Sequence, residues 1–383
     1  MKVLGIVMEA NPLHLGHKYF IDKAKETVNP DITIAIVSTN FSMRGDISVI
    51  DKFTKTNALL DLGIDIVLEL PFKAYLASSD YFAYNAINAL LKFKITDLAF
   101  GAEAKDLGEL LELKRIKSSL DNSTIVKENL KKGYSYSTSI VKAIKEYTND
   151  QNIITQISLP NNTLAISYLN AIDKLNKKIN ITLINRIDNN YYDKEINSKI
   201  ASATSLRERL INNLSIDEYT PIKLDYIDLN KANDNLYKLY QYKMISTDLI
   251  DLKNILGINE GIENRLMNFI NCSSYNDYIN NVLTKRYTLT HIKRLILHIL
   301  NNSSDEEQLY DYLRILGLNN NGKKYLNKLD KNIKQQIITN IKNTDNKLLN
   351  SELQSTKLYG IITDRFDLYL DEYKLPIIKN QGE

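Results

Sequence analysis

The fold of this chain is decided by the stretch Gly5-Ile6-Val7-Met8-Glu9-Ala10-Asn11-Pro12-Leu13-His14-Leu15-Gly16-His17. The apolar, β-branched run 3–7 predicts a buried strand. Asn11-Pro12 marks a turn after it, and a helical pattern begins near His17. A buried strand, a short turn and a helix in this order are typical of an α/β domain with a parallel sheet. Because such sheets bind ligands beyond the carboxyl ends of their strands, the turn is a candidate ligand site.

Strand and helix patterns keep alternating through the first half of the chain. The predicted strands are short apolar runs, and helical patterns separate them. This order predicts a Rossmann-like parallel sheet with helices on both faces. The predicted strands are 3–7, 32–37, 64–68, 95–100 and 179–184, and the predicted helices are 17–27, 52–62, 81–93 and 163–175.

After about residue 207 the strand signals fade, and helical patterns broken by Gly and Asn clusters take over. We therefore place a domain boundary near residue 215, between an α/β domain (1–215) and a mostly helical domain (216–383). The helices predicted in the second domain are 238–256, 287–300, 306–316 and 323–341.

The composition limits the class of protein. Hydrophobic residues make up 44% of the chain, and the net charge of +3 is too weak to demand or exclude a nucleic-acid partner. No apolar run is long enough to span a bilayer, and the N-terminal one is too short for a signal peptide. The single cysteine, Cys272, allows neither an internal disulfide nor a thiolate zinc site. These features predict a cytoplasmic protein that does not associate with membranes.

The chemistry is predicted to centre on His14 and His17. They lie three residues apart at a helix start, so their side chains can point to the same side. Gly16 between them lets a ligand approach the backbone, and the helix N-terminus adds N–H groups and a positive dipole end. Two imidazoles there suit a polyphosphate, because they can donate hydrogen bonds to its oxygens as pyrophosphate leaves. Two unrelated histidines are the alternative.

A second motif, Ser202-Ala203-Thr204-Ser205-Leu206-Arg207, follows the last predicted strand of the first half. Ser202 or Thr204 is expected to be the N-cap of a helix. Taken alone, the motif is explained as well by an ordinary capped surface helix. Taken together with the histidines, it favours a phosphate site.

The tetrapeptide His14-Leu15-Gly16-His17 resembles the HxGH signature of the nucleotidylyltransferase superfamily, and the Ser/Thr turn before Arg207 resembles its second mark. The whole chain is more narrowly similar to the bacterial tRNA(Met) cytidine acetate ligase family. Besides 9–17, this resemblance is carried by Asn40-Phe41-Ser42-Met43-Arg44-Gly45-Asp46, Asp51-Lys52-Phe53, Asp65-Ile66-Val67-Leu68-Glu69-Leu70-Pro71, Phe100-Gly101-Ala102-Glu103, Pro160-Asn161-Asn162, Arg186, Arg314-Ile315-Leu316-Gly317 and Asn321-Gly322-Lys323.

The chain also departs from the family pattern. Ala10 stands in place of a Tyr, Leu13 in place of a Phe and Met43 in place of a Gln. The loop 188–193 replaces a small-residue loop that precedes a Tyr-His-Asp sequence. These changes bear on rate or substrate preference and leave the HxGH motif intact.

The resemblance implies an HxGH-type sheet with a helical C-terminal domain, and ATP as co-substrate accompanied by Mg²⁺. It implies that ATP and acetate give acetyl-adenylate and pyrophosphate, and that the acetyl group passes to N4 of the wobble cytidine of elongator tRNA(Met), giving N4-acetylcytidine. The expected catalytic residues are His14, His17 and Arg44, and Arg207 is expected to neutralise the leaving charge. The expected ATP-binding residues are Gly5, Ile6, Val7, Met8, Glu9, Ala10, Asn11, Pro12, Leu13, His14, Gly16, His17, Gly101, Asn161, Asn162, Arg186, Ser202, Thr204 and Arg207.

For four of these residues, the position in the predicted fold also suggests a role without the resemblance. Arg44 follows the second strand, where it is placed to hold a carboxylate or phosphate unless it is a surface-loop arginine. Gly101 ends a strand, and there it permits close packing of adenine or ribose or simply forms a turn. One of Asn161 and Asn162 is expected to be an N-cap, and the other is left to contact the nucleotide.

Charged residues near the same edge have structural explanations as well. Glu9 and Asp46 are possible acids of the site, although pairing with Lys or Arg is the safer interpretation. Lys52 and Lys55 follow on a helix, where either is a candidate to face the site, and an exposed position is favoured for Lys55. No cluster of carboxylates suggests a dedicated metal site.

Basic residues of the second half are candidates for tRNA contacts, which would make 216–383 the tRNA-binding domain and 1–215 the nucleotide-binding catalytic domain. Each phosphate contact adds salt-dependent affinity. A solvated helix face is the simpler explanation for either group alone, because Glu and Asp are interleaved. The candidates are Lys285, Arg286, Lys293 and Arg294 in one stretch, and Lys323 and Lys324 in another.

Two other functions remain open on sequence grounds. A small-molecule adenylyltransferase of coenzyme biosynthesis shares HxGH, but it seldom needs so large a helical C-terminal region. A non-catalytic RNA-binding relative would keep the fold and tolerate changes such as Ala10 and Met43.

Overall fold

The computed structural model describes residues 1–185, 201–304, 310, 312–342 and 344–380. In these residues, eight strands form one sheet in the order β5-β4-β1-β2-β3-β6-β7, and β8 pairs with β6. The strands are β1 (Val3–Met8), β2 (Ile32–Ser38), β3 (Ile66–Leu70), β4 (Asp97–Ala102), β5 (Asn180–Asn185), β6 (Leu313–Asn319), β7 (Ile337–Ile338) and β8 (Ile377–Lys379).

Helices surround this sheet, and none of those in the described residues is long and apolar enough to cross a membrane. They are α1 (Leu15–Val28), α2 (Lys52–Asp61), α3 (Phe72–Tyr75), α4 (Ser79–Lys92), α5 (Leu107–Leu120), α6 (Thr124–Lys131), α7 (Tyr136–Tyr147), α8 (Gln151–Ser158), α9 (Pro160–Lys174), α10 (Ala203–Ile211), α11 (Leu229–Ile245), α12 (Leu249–Leu252), α13 (Ile262–Asn268), α14 (Tyr275–Val282), α15 (Leu289–Leu300), α16 (Asn320–Lys328), α17 (Lys331–Lys334) and α18 (Lys347–Ile362). Short 3₁₀ turns span Asp217–Tyr219 and Leu368–Tyr373.

The five strands of the first half are parallel to one another, as the alternating pattern predicts. Every residue of β2 is buried, because the sheet is covered on both faces. Ile34 and Ile36 pack into the core that contains α4 and α9, whereas Ala35 and Val37 pack into the core that contains α1 and α2. The two-residue period of a strand thus divides its side chains between two helical layers.

The predicted helix 306–316 is wrong where the structure describes it, because Leu313–Asn319 is strand β6. This strand runs antiparallel to β3, with Ile66 opposite Leu318. A Cβ on Gly317 would lie 2.6 Å from Thr56 Cγ2, so the close packing of β6 on α2 requires glycine. A short apolar run fits a strand or a helix equally well, which explains the error. The predicted fold class is confirmed, and β6, together with β7 and β8 that pair parallel to it, runs antiparallel to the first five strands.

Two other predicted helices are divided in the structure. The predicted helix 238–256 is α11, which ends at Ile245, followed by the short α12. The predicted helix 323–341 is α16 and α17, followed by strand β7. The predicted boundary near residue 215 lies between α10 and α11, while β6 from beyond that boundary completes the sheet of the first half.

A network of five buried charged side chains joins the two halves where α2, β3, β6 and α18 meet. Lys52 Nζ lies 2.9 Å from Glu69, 2.9 Å from Glu352 and 2.6 Å from Glu372. Arg314 Nη1 lies 3.0 Å from Glu69 and 2.6 Å from Glu372. Burial alone would lower the pKa of Lys52, but the three carboxylates hold it above its usual value. Lys52 is therefore a charged structural residue and does not face the candidate site.

Candidate active site

The histidine motif forms the turn between β1 and α1, at the carboxyl edge of the sheet. After β1, Ala10 has a left-handed backbone with φ of 47°, which turns the chain sharply. His14 is the N-cap of α1, and its Nδ1 accepts the N–H of Gly16 at 3.0 Å. His17 Nδ1 accepts the N–H of His14 at 3.2 Å, which completes a capping box made of two imidazoles. The two histidines therefore satisfy helix N–H groups that would otherwise lack partners.

This capping determines which nitrogen carries the proton in each of the two imidazole rings. A ring nitrogen that accepts a hydrogen bond carries no proton, so each neutral imidazole holds its proton on Nε2. The ring centroids lie 3.9 Å apart, and His14 is 7% exposed. The turn thus presents two Nε2–H donors side by side at a helix N-terminus, which is an arrangement suited to phosphate oxygens.

The segment after β2 braces this turn. Asn11 Nδ2 donates to the Ile47 carbonyl at 3.1 Å, and Asn11 Oδ1 accepts the N–H of Val49 at 2.9 Å. The Glu9 carboxylate accepts the N–H of Met43. Glu9 and Asn11 are therefore held by backbone contacts, and the contact of Glu9 with Met43 is to a backbone N–H and not to the Lys or Arg partner that the sequence favours.

The second motif meets the first across the sheet edge. Arg207 Nη1 donates to the Asn11 carbonyl at 2.6 Å although the two residues are 196 positions apart. Arg207 Nη2 also donates to Thr204 Oγ1 at 3.4 Å. Ser202 is the N-cap of α10, since its hydroxyl accepts the N–H of Ser205 at 3.1 Å. Of the two N-cap candidates, the structure therefore selects Ser202 and leaves Thr204 beside the arginine.

Asp46 links Arg207 to the second half of the chain. Its carboxylate lies 3.8 Å from Arg207 Nη2 and 2.6 Å from Nζ of Lys293 on α15. Burial alone would raise the pKa of Asp46, but the charges of Lys293, Arg207 and Arg44 hold it below its usual value. Lys293, predicted to contact tRNA, is paired with Asp46 at the carboxyl edge of the sheet that carries the histidine turn, which we call the catalytic edge. No local sequence signal reveals this pairing.

Arg44 lies in a tight turn that packs against α15. Ser42 Oγ accepts the N–H groups of Arg44 at 3.3 Å and Asp46 at 3.1 Å. Gly45 has φ of +83°, and a Cβ there would lie 2.7 Å from Lys293 Cβ. Glycine is therefore needed both for the turn and for the contact with α15. The partly buried Arg44 is held beside Asp46, where its charge acts on the carboxylate.

At the end of β4, the structure distinguishes Asn161 from Asn162. Neither is an N-cap, because Leu159 has that position in α9 and Pro160 follows at N1. Asn162 is fully buried, and its Oδ1 accepts the N–H groups of Glu103 and Ala104, each at 2.9 Å. Asn161 is partly exposed and donates from Nδ2 to Glu103 at 2.6 Å.

These contacts give the two asparagines different roles. Asn162 shapes the loop that follows β4, a strand whose last two residues are Gly101 and Ala102 and which pairs with β1. The Glu103 carboxylate accepts the N–H groups of Asn161 and Asn162 and so takes the place of the missing N-cap side chain of α9. Because Asn161 is partly exposed and Asn162 is buried, Asn161 is the asparagine that is accessible to a ligand at this edge.

Some predicted ATP-binding residues lie inside the fold. Gly5 and Ile6 are in the middle of β1, and a Cβ on Gly5 would lie 2.9 Å from Ile95. Met8 and Leu13 are buried in the core on the α1 side of the sheet. These residues shape the strand and turn beneath the site. Arg186 and the loop 188–193 lie outside the described residues.

Lys55 is buried at the carboxyl end of β2, contrary to the exposed position favoured by the sequence. Its Nζ donates to the carbonyls of Ser38 at 2.9 Å and Thr39 at 3.0 Å. Burial lowers its pKa to about 8, because the carbonyls replace only part of the lost hydration. Lys55 thus links α2 to the carboxyl end of β2, at the same edge of the sheet as the histidine turn.

The predicted tRNA-binding residues do not form one surface. Lys285 and Arg286 are exposed in the segment before α15, and Arg294 is partly buried on α15 with its pKa lowered by burial. Lys323 and Lys324 lie on α16, which begins beside Asp65 at the amino edge of the sheet. They therefore lie at the edge of the sheet opposite to the one that carries the histidine turn.

The carboxyl edge collects two oriented imidazole donors, a helix N-terminus, three cations and one carboxylate. Such an arrangement is suited to a polyphosphate and to charge that develops on a leaving pyrophosphate. Within the described part of the chain, no group of three or more His, Cys, Asp or Glu residues is arranged to hold a metal ion. Fold and site together define a nucleotidyl transferase of the HxGH class.

Comparison with known proteins narrows this class. The model of the HIGH Nucleotidyl Transferase family matches residues 1–372. The tRNA(Met) cytidine acetate ligase of Oceanobacillus iheyensis is 35% identical over 99% of this chain and 100% of its own length. That of Clostridium kluyveri is 34% identical over 99% of both chains. The crystal structure of Thermotoga maritima TmcAL in its apo form I covers 100% of both chains, with a TM-score of 0.85 and 27% identity. The structure of the same protein bound with alpha-thio ATP has a TM-score of 0.83 and 26% identity, again over 100% of both chains.

The chain therefore belongs to the HIGH nucleotidyl transferase family and, within it, to the family of tRNA(Met) cytidine acetate ligases.

Proposed function

We propose that this protein activates acetate with ATP and transfers the acetyl group to N4 of the wobble cytidine of elongator tRNA(Met). An acetate oxygen attacks the α-phosphorus of ATP, the bond to the β-phosphate breaks, and acetyl-adenylate and pyrophosphate form. The cytidine amine then attacks the acetyl carbonyl, AMP leaves, and the nitrogen loses a proton to give N4-acetylcytidine. The observation that carries this proposal is the contact of Arg207 with the two-histidine turn.

In the first step, the protein aligns the reactants and stabilises the leaving group, since acetate itself is the nucleophile. Nε2–H of His14 and His17 would donate to phosphate oxygens, and Arg207 would move from Asn11 and Asp46 toward the leaving pyrophosphate. Arg44, beside Asp46, is placed for the acetate carboxylate or a phosphate. Gly101 and Asn161 would contact the adenosine, and Mg²⁺ would enter bound to ATP.

In the second step, the tRNA must reach the same edge of the sheet. We assign nucleotide binding to residues 1–215 and tRNA binding mainly to residues 216–383. We place the reaction in the cytoplasm. Lys285 and Arg286 support this division because they are exposed and precede α15, which contacts the catalytic edge through Lys293.

The test is release of pyrophosphate from ATP with acetate, measured with and without tRNA(Met), followed by detection of N4-acetylcytidine. The proposal expects acetate-dependent pyrophosphate release and acetylated tRNA. Pyrophosphate release that requires another small-molecule substrate would indicate the coenzyme adenylyltransferase. Binding of tRNA without any pyrophosphate release would indicate the non-catalytic relative.

A further inference from the structure

A partly exposed basic and aromatic surface lies where the α6–α7 turn meets the segment before α15. The N–H of Ser135 donates to the Lys285 carbonyl at 3.0 Å, and Arg286 Nη2 donates to the Leu130 carbonyl at 3.5 Å. These bonds hold together two segments that are more than a hundred residues apart in sequence. We call this region the Tyr134–Tyr287 surface; its members are Tyr134, Lys142, Lys285, Arg286, Tyr287 and His291.

Tyr134 holds two ammonium groups in place. Lys142 Nζ lies 4.5 Å and Lys285 Nζ 5.8 Å from the centroid of its ring. A lysine side chain in water samples many rotamers, and a cation–π contact reduces that freedom. The two charges are therefore ordered before a ligand arrives, which lowers the entropic cost of binding an anionic backbone.

Tyr287 and His291 form a ring stack one helical turn apart at the start of α15. Their centroids are 5.8 Å apart and their planes differ by 18°. Burial, with a contribution from the charge of Arg294, lowers the pKa of His291 to about 4, so its ring is neutral at pH 7. A neutral, partly exposed ring stack beside fixed cations is the combination that binds unpaired nucleic-acid bases and their phosphates.

Helix α15 connects this surface to the catalytic edge. His291 is two residues before Lys293, whose Nζ lies 2.6 Å from Asp46. From the N-cap Thr288 to Lys293 the helix rises by about 7.5 Å, at about 1.5 Å per residue. A base held on the ring stack would thus lie on the same helix that contacts Asp46. A target base must leave its stack to react, and its neighbours then need new stacking partners.

We infer that the Tyr134–Tyr287 surface binds the unpaired RNA loop next to the nucleotide that is acetylated. The Tyr287–His291 stack receives a neighbouring base, and the lysines held by Tyr134 contact its phosphates. Tyr134 acts as a positioning residue through these two lysines. This inference rests on the proposed function and adds to it a loop-binding site that includes the catalytic half of the chain.

The first test compares Tyr287→Leu with Tyr287→Phe in the full-length protein. Dissociation constants for a tRNA(Met) transcript are measured at several salt concentrations, together with acetate-dependent ATP–pyrophosphate exchange in the absence of RNA. We expect Tyr287→Leu to weaken RNA binding roughly tenfold with an unchanged salt slope, because stacking is uncharged. Tyr287→Phe keeps the ring and is expected to remain within about twofold. Tyr242→Leu, at a tyrosine on α11 that is 73% exposed, is the matched control.

The second test uses Tyr134→Leu, which leaves both lysines in place but removes the ring that orders them. We expect RNA affinity to fall several-fold and the log–log salt slope to decrease by up to about one per lost phosphate contact, with recovery in Tyr134→Phe. Unchanged affinity and slope in both leucine variants, with unaltered melting temperatures, would overturn the inference. RNA binding is scored separately from exchange, so a wild-type protein that lacks exchange would contradict only the proposed activity.

Discussion

The catalytic edge and the buried network around Lys52 are both clusters of charged side chains, but their surroundings differ. Asp46, Arg207 and Lys293 keep about a fifth of their side-chain surface exposed. The side chains of Lys52 and Glu352 have none. Partial exposure lets a phosphate replace Asp46 as the partner of the cations, because water and ligand can reach them. Water and ligands do not reach the buried charges, so their partners are not replaced and their pairing stabilises the fold.

The largest effect is expected from breaking the buried network. We expect Lys52→Met to lower the free energy of unfolding by about 3–5 kcal/mol, because it leaves buried carboxylates without their main counter-charge. Lys18→Met, which removes an exposed i,i+4 pair with Asp22, is expected to cost less than about 0.5 kcal/mol. Urea unfolding of both variants measures the difference. A loss below about 1 kcal/mol in Lys52→Met would show that the network is not structural.

At the catalytic edge we expect loss of activity without loss of fold. His14→Asn retains an N-cap acceptor and His17→Gln retains the N3 partner of the capping box, so α1 should keep its start. Each substitution is expected to reduce acetate-dependent ATP–pyrophosphate exchange by about a hundredfold or more, since a phosphate donor is lost. His14→Ala, which also removes the cap, is expected to add a stability loss of about 1 kcal/mol. Near-normal exchange in the first two variants would contradict the site.

The contrast also explains what the sequence could predict. The five parallel strands and the histidine turn are local patterns, because burial on both faces gives continuous apolar runs and a capped helix start gives fixed spacing. The pairing of Asp46 with Lys293 spans 247 positions, and that of Lys52 with Glu352 spans 300. Contacts of that range leave no periodic signal in either segment.

Local ambiguity accounts for the remaining errors. The segment that forms β6 is apolar and short, so its own pattern fits a helix or a strand. Pairing with neighbouring strands determines its conformation. Asn161 and Asn162 have the composition of a cap, but Pro160 at N1 moves the helix start one residue earlier. The cap is then supplied by Glu103, which lies at the end of another strand.

Lys55 sharpens the comparison, because it lies one turn after Lys52 on α2 and is equally buried. Its partners are neutral carbonyls, so burial lowers its pKa to about 8. Between about pH 8 and 10.5 the unfolded chain binds this proton and the folded protein does not, so stability from this group rises with pH across that window. Below pH 8 both states are protonated and its contribution is constant.

We expect the wild-type protein to gain up to about 1–3 kcal/mol relative to Lys55→Met as the pH rises from 7.5 to 10. Other titrating groups cancel when the unfolding free energies of the two proteins are subtracted at each pH. Lys18→Met, at an exposed lysine, is the control and should show no such trend. A difference that stays constant with pH would mean that Lys55 keeps its ordinary pKa.

A third set of charges, Lys323 and Lys324, lies at neither cluster. They follow the N-cap Asn319, whose Nδ2 donates to Asp65 at 2.8 Å, just before β3 begins. A Cβ on Gly322 would lie 2.3 Å from the Asp65 carbonyl oxygen, so α16 is packed closely against the amino edge of the sheet. The length of the strands separates these lysines from the histidine turn. Charges separated by more than a Debye length, about 10 Å at 0.1 M salt, are largely screened from each other.

The smallest effect is therefore expected from reversing these two charges. The double variants Lys323→Glu/Lys324→Glu and Lys285→Glu/Arg286→Glu change the net charge equally, so any non-specific repulsion of tRNA is the same in both. The second pair is expected to weaken tRNA(Met) binding strongly and to reduce its log–log salt slope by up to about two, because we propose that both side chains contact phosphates. The first pair is expected to change affinity less than about twofold. ATP affinity should hold in both variants, because neither pair touches the histidine turn. Isotherms at several salt concentrations separate the two outcomes, and an equal loss in both variants would mean that total charge, and not its place on the sheet, attracts the RNA.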